Sequence, residues 1–223
     1  LTMQGVYLVD AGRLEESKSV YKQLVEERNS PIVMNNYAYV VGVFMDEPEE
    51  GLQIAKDAAK QAPREPSIID TVAVLYDRTG NYEKAAEMFD YLLQIDPSNA
   101  SAMSKLAILY ADKLNQPERG IVFAERARSL SPRAPEVLDA LGWSYYKTGR
   151  NDKAEDLIQR SLRSEETMDA YIHLAQIVMN KDKYDAALGH LRMAQELAKD
   201  PYSKNRISSL QDDIRKIQAS VSE

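Results

Sequence analysis

Apolar residues recur along most of this chain at i, i+3, i+4 and i+7, the spacing of a helix with one dry face. The pattern predicts helices in pairs, at about 1–11/13–28, 31–44/47–61, 66–78/82–94, 99–113/116–129, 134–147/151–164 and 167–180/184–198. Gly12, Gly80 and Gly149 fall between the members of a pair. There a left-handed residue ends the first helix, and Gly adopts it without a Cβ penalty. Pro63, Pro97 and Pro132 close second helices, because proline cannot continue them. Beyond the last pair, Asp200-Pro201 reads as an N-cap and a first helical residue. Ile207, Leu210, Ile214 and Ile217 then stripe one side of a final helix. A helix apolar on one side only is how a stack of helices ends against water.

The pairs are copies of one another. Ala73, Tyr76, Gly80, Ala85 and Phe89 find counterparts in Gly142, Tyr145, Gly149, Ala154 and Ile158, 69 residues later in each case. That offset is two units of about 34.5 residues, and the unit between them carries Leu106-Ala107, Tyr110, Gly120, Ala124, Ala127 and Pro132. Weaker copies stand at Tyr171…Ala175…Tyr184…Ala187…Leu191…Ala194, at Tyr37-Ala38…Gly51…Ala55…Ala58…Pro63 and at Gly5…Leu8…Gly12…Ser17…Tyr21. In this order and spacing the small residue, the Tyr, the turn Gly, the Ala, the aromatic and the closing Pro resemble the tetratricopeptide repeat (TPR) family. The resemblance covers about residues 1–199 and is most complete from 66 to 97. It implies an all-α fold: a right-handed α-solenoid of about six helix-turn-helix units near 1–30, 31–65, 66–98, 99–133, 134–166 and 167–199, with residues 200–223 as a C-terminal capping helix and tail. The units near 31 and 99 carry one extra residue at the inter-helix turn and put Gly51 and Gly120 where Ala is usual, so their helix pairs are expected to pack differently.

The 223 residues are 44% apolar and 28% charged, enough for a continuous core in a protein of ordinary surface. A net charge of −7 argues against nucleic acid and against an anionic membrane as partner. No apolar run reaches the length of about 18 that spans a bilayer, so direct membrane insertion is not expected. With no Cys there is no disulfide or thiolate chemistry, and the redox compartment stays undecided. The chain opens on Leu1-Thr2 in mid-repeat, which suggests a piece of a longer protein whose targeting signal lies elsewhere.

Chemistry-bearing clusters are not evident. His173 and His190 have no second His, Cys or paired carboxylate at metal-ligand spacing, so neither a metal nor a cofactor is expected. Phosphate-cradling loops need clustered glycines, and these stand singly at helix ends. The numerous Asp and Glu lie beside Lys or Arg at helical spacing, as on a solvated face. An enzyme is therefore not expected.

The resemblance implies a protein-binding scaffold whose first helices line a concave groove. Family positions that face such a groove fall here on Asn35, Tyr39, Asp70, Val74, Asp77, Ser104, Ile108, Asp139, Trp143, Tyr146 and Gln176. Trp143, the sole Trp, either anchors a partner together with Tyr146 or packs against the neighbouring first helix. The Lys, Asn and Arg with which chaperone-binding members hold a terminal carboxylate are replaced by Asp70, Val74, Ser104 and Asp139. The acidic positions instead imply a peptide or protein partner with basic and aromatic or apolar character. The residues Asn35-Asn-Tyr-Ala38, Leu138-Asp-Ala-Leu-Gly-Trp143 and Tyr171-Ile-His-Leu-Ala175 are loosely similar to bacterial envelope repeat proteins of exopolysaccharide export. That leans the location toward the periplasm or cell envelope, with the cytoplasm open. Two alternatives stand beside this: a regulatory or substrate-positioning segment of a multidomain enzyme or secretion component, and a homo-oligomer formed through the N-terminal edge.

Overall fold

The structure, a computed structural model, describes residues 2–221, and every regular element among them is helical. In chain order these are α1 (Thr2–Asp10), α2 (Leu14–Arg28), α3 (Pro31–Tyr39), α4 (Pro48–Gln61), α5 (Pro66–Arg78), α6 (Tyr82–Ile95), α7 (Ala100–Asp112), α8 (Pro117–Leu130), α9 (Pro135–Lys147), α10 (Asn151–Ser164), α11 (Met168–Met179), α12 (Tyr184–Leu197) and α13 (Pro201–Val221). A π-helical turn, Val40–Phe44, extends α3. Two compact units can be distinguished. One holds the residues up to Pro97 together with Lys199–Pro201, and the other holds Ser98–Ala198 and the residues from Tyr202 on.

Local chemistry explains where the helices start and stop. Proline opens α3, α4, α5, α8 and α9, where its missing N–H costs nothing. The Asn99 side chain accepts from the Ala102 N–H at 2.9 Å, capping α7. Gly80 and Gly149 end α5 and α9 with φ of +74° and +78°. The extra residue of the units near 31 and 99 is absorbed differently. Asp46 and Asn115 take the left-handed conformation (φ +61° and +51°), and the end of α3 widens into the π turn, where Met45 N–H donates to Val40 O at 3.0 Å.

In the first unit Ala38, Val43, Ala55, Val72 and Leu75 form a core between α3, the π turn, α4 and α5. Gly51 belongs to it because there is no room for a side chain: a Cβ there would lie 2.5 Å from Gly42 Cα and 2.8 Å from Ala38 O. In the second unit the same reasoning applies to Gly120, whose Cβ would meet Ala107 O at 2.7 Å. These are the close crossings behind the two unusual glycines. Ala154, Ile158, Ala170, Ile172, Leu174, Ala175, Ala187 and Leu191 build the larger core of the second unit, and Ile207 and Ile214 of α13 join it.

Candidate partner-binding faces

The residue following each small, closely packed position of a first helix is the test of the groove assignment: Tyr39, Val74, Ile108, Trp143 and Gln176. They share a register but not an environment. Tyr39 is 38% exposed, Val74, Ile108 and Gln176 are half-buried, and Trp143 is 1% exposed.

In the first unit the face is built by α3 and α5. The Tyr39 ring stands edge-on to Phe44 of the π turn, with centroids 5.6 Å apart. Burial of its hydroxyl, then the nearby Asp70 charge, raises the Tyr39 pKa against the opposing effect of Arg78. Arg78 pairs with Asp200 at 3.1 Å and Asp46 at 3.7 Å. Asp70 and Asp77 are half-buried. Asn35, expected to line the groove, is buried at 7% exposure, and its Oδ1 has no hydrogen-bond partner.

In the second unit several expected contact residues are consumed by the protein itself. Asp139 is 4% exposed, and its carboxylate accepts from His173 Nδ1 at 2.8 and 3.0 Å. The His173 ring stacks on Trp143 with centroids 4.1 Å apart and planes 15° from parallel. Tyr146 stacks on Trp143 as well, at 5.0 Å, and Lys147 Nζ sits 5.0 Å from the indole centroid. Asn180 Nδ2 donates to the Tyr146 hydroxyl at 2.6 Å, which in turn donates to Gln176 O at 3.3 Å. Asp112 pairs with Lys147 at 3.0 Å. Burial pushes the Asp112 carboxyl up, but the hydrogen bond and charge of Lys147, with Lys113 and Arg206, outweigh it and leave its pKa lowered. Ser104, at 2% exposure, donates to Ala100 O within its own helix.

Of the two readings left open for Trp143, the structure has the packed one, with the imidazole one repeat later covering one of its faces. His173, read from the sequence as standing alone, is bound to Asp139. The signal was present in the spacing: Asp139 and His173 are 34 residues apart, one repeat, which sets them side by side on adjacent first helices. On α13, Arg206 pairs with Asp169 at 3.4 Å. Among the described residues no group of three or more His, Cys, Asp or Glu is placed to hold a metal ion. Among the same residues no helix is long and apolar enough to cross a membrane.

This fold and its repeat place the chain in a class: residues 73–135 and 140–204 match the tetratricopeptide repeat family, and the chain belongs to it. Members of the family mediate protein–protein interactions and are typically non-catalytic. Among relatives, the chain is 26% identical over 189 residues to cellulose synthase operon protein C of Pseudomonas fluorescens, covering 84% of this chain and 14% of that protein. It is 23% identical over 131 residues to a TPR repeat-containing protein of Pseudomonas aeruginosa, covering 59% of this chain and 22% of the other. It thus spans less than a quarter of the length of either. Among solved structures, a thermophilic TPR protein of Thermus thermophilus superposes with a TM-score of 0.66 at 23% identity, over 80% of this chain and 96% of that one. The Cut9–Hcn1 hetero-tetramer gives a TM-score of 0.74 at 12% identity, over 98% of this chain and 42% of that one. These likenesses establish the all-α helical repeat fold.

Proposed function

We propose that this chain is a non-catalytic scaffold that takes a peptide segment or partner protein on the faces of its first helices. The observation that carries this reading is the exposed Tyr39, a large aromatic left uncovered at a register position whose counterpart in α9 is sealed. Rigid amphipathic rings of this kind anchor interfaces at low entropic cost. A single such face gives affinities near micromolar, about −8 kcal/mol. Service in a bacterial envelope exopolysaccharide system is the setting we favour. It rests on the likeness to cellulose synthase operon protein C.

Two other readings each have an observation behind them. The chain matches only a small fraction of its relatives' length, which favours a regulatory or positioning segment within a larger protein. On α1, Met3, Val6 and Tyr7 are 82%, 48% and 67% exposed, which favours docking of another copy at that edge.

The scaffold reading is tested by photo-crosslinking in source-cell extract. A benzophenone amino acid is placed at Tyr39 or Gln176, and on the opposite helices at Val122 or Leu130, both exposed. A partner captured from the first pair alone supports the first-helix faces. Capture from the second pair alone refutes them, and a concentration-dependent adduct of the chain with itself favours self-assembly.

A further inference from the structure

Where α8, α9 and α10 meet in the second unit, they form an open cleft of about 420 Å³. That is at the small end of the range of ligand sites, about 300–1,000 Å³. Its floor is fixed by packing. Leu157 is 5% exposed and shares a core with Leu138 and Leu141. The half-buried Tyr145 ring lies against the same core and donates its hydroxyl to Glu125 at 2.7 Å. The rim is charged, with Arg128 from α8 and Asp152, Lys153, Asp156 and Arg160 from α10. We infer that this cleft docks a peptide segment in which a single Asp or Glu stands beside an apolar side chain, at a site separate from the first-helix faces.

The way the rim charges are paired selects that ligand. Both rim carboxylates already hold a cation. Asp152 is drawn toward the α11–α12 turn by Lys181 at 3.1 Å, which Glu155 shares at 2.7 Å, and Asp156 lies 3.6 Å from Arg160. On the Tyr145 side the cations are less fully matched. Arg128 stands 3.9 Å from Glu125, at the edge of ion-pair range, and that carboxylate also accepts the Tyr145 hydroxyl. Lys153 meets no carboxylate at ion-pair distance among the described residues. Its Nζ lies 5.9 Å from the centroid of the Tyr145 ring, and the Arg150 guanidinium lies 5.1 Å from the same centroid. In a chain of net charge −7, this local gathering of cations draws in an anion. Asp152 and Asp156 remain on the rim, and they repel a continuous polyanion more than they repel one carboxylate. The floor of Tyr145 and Leu157 adds the second requirement, because it rewards an apolar group that leaves water there. A carboxylate reaching Arg128 and Lys153, with its apolar neighbour on that floor, meets both.

The test uses the whole chain, labelled with nitrogen-15, and three peptides with uncharged ends: Gly-Glu-Leu-Gly, Gly-Gln-Leu-Gly and Gly-Lys-Leu-Gly. Amide chemical-shift changes report both affinity and place. The expected result is saturable binding of the Glu peptide, about tenfold tighter than either other peptide, with shifts confined to α8, α9 and α10. Arg128→Gln and Lys153→Gln should each weaken it by about threefold and together by about tenfold, as loss of exposed ion pairs does. Neither side chain is buried, so these variants should melt with wild type. Lys22→Gln, an exposed lysine of α2, should leave affinity unchanged. Failure of all three peptides to bind, equal binding of the Glu and Gln peptides, an equal loss in Lys22→Gln, or shifts centred outside those helices overturns the inference. A single-stranded oligonucleotide that binds more tightly at the same amides also overturns it, making the cleft a polyanion site. Crosslinking from Tyr39 and Gln176 reads the first-helix faces alone, so failure of the cleft leaves the scaffold standing.

Discussion

Trp143→Ala measures how completely the second unit has closed over its own aromatic. The side chain is 1% exposed and lies in contact with His173, Tyr146 and Lys147. Truncating a buried Trp costs about 3–5 kcal/mol, part transfer and part cavity. The two lost ring stacks push toward the upper end, each being worth about 0.5–1.5 kcal/mol beyond area. An opposing contribution comes from the indole N–H, which is buried without an acceptor. Removing an unsatisfied donor returns about 1–3 kcal/mol. The balance is near 3 kcal/mol, which for a chain of this size lowers the melting temperature by about 6–12 °C. Trp143→Phe keeps a ring against His173 and sheds the orphan N–H, so it should recover most of that loss. Thermal unfolding followed by circular dichroism gives both numbers. Because Trp143 is the only Trp, its fluorescence reports the same site: emission should be blue-shifted and poorly quenched by acrylamide until the unit unfolds. If Trp143→Ala melts within about 2 °C of wild type, or if acrylamide quenches the native protein as it does free indole, the closed stack is wrong.

Close packing makes a second set of expectations. A Cβ on Gly142 would lie 2.7 Å from Ile158 Cγ1 and 3.1 Å from the Ala154 carbonyl, so Gly142→Ala should cost about 1–3 kcal/mol by chemical denaturation. Ala154→Leu, at a fully buried site, should cost a similar amount. Gly80→Ala meets no atom within 4 Å, but it forces an L-residue to a φ of +74°, and about 1 kcal/mol is expected from the backbone alone. Burial lowers the His190 pKa against the opposing charge of Glu155. The unfolded chain therefore takes up the proton first: stability is full above the ordinary imidazole value of about 6.5 and is lost as pH falls toward the folded value. His190→Gln should flatten that slope in a series of denaturant melts. For Asp112 the folded pKa is lowered, so its contribution is present above about 3.9 and disappears as pH falls through the folded value. Asp112→Asn should remove that acid-side loss, and an unchanged acid limb would refute the Lys147 pairing.

The helices were legible in the sequence because they depend on local rules. Apolar spacing, Pro at helix starts and Gly at turns act within a few residues, and the repeat multiplies each signal. The π turn was less legible. An extra residue was visible near both Asp46 and Asn115, yet only the first widens the end of its helix into a π turn, while α7 stays α-helical to Asp112. Candidate site residues divide in the same way. Helix phase is local, so Tyr39, Val74, Ile108, Trp143 and Gln176 could be assigned one register. Exposure is not local, since it depends on what the neighbouring first helix carries one repeat later. Trp143 is covered because His173 follows Asp139 by 34 residues and is held by it. At the corresponding step in the first unit the chain offers Asp70 after Asn35, so there is no imidazole at that position to lie over Tyr39 as His173 lies over Trp143. Tyr39 therefore stays open where Trp143 is shut. A groove-facing register marks where a repeat protein could bind, and pairing between residues one repeat apart decides which of those places remains available.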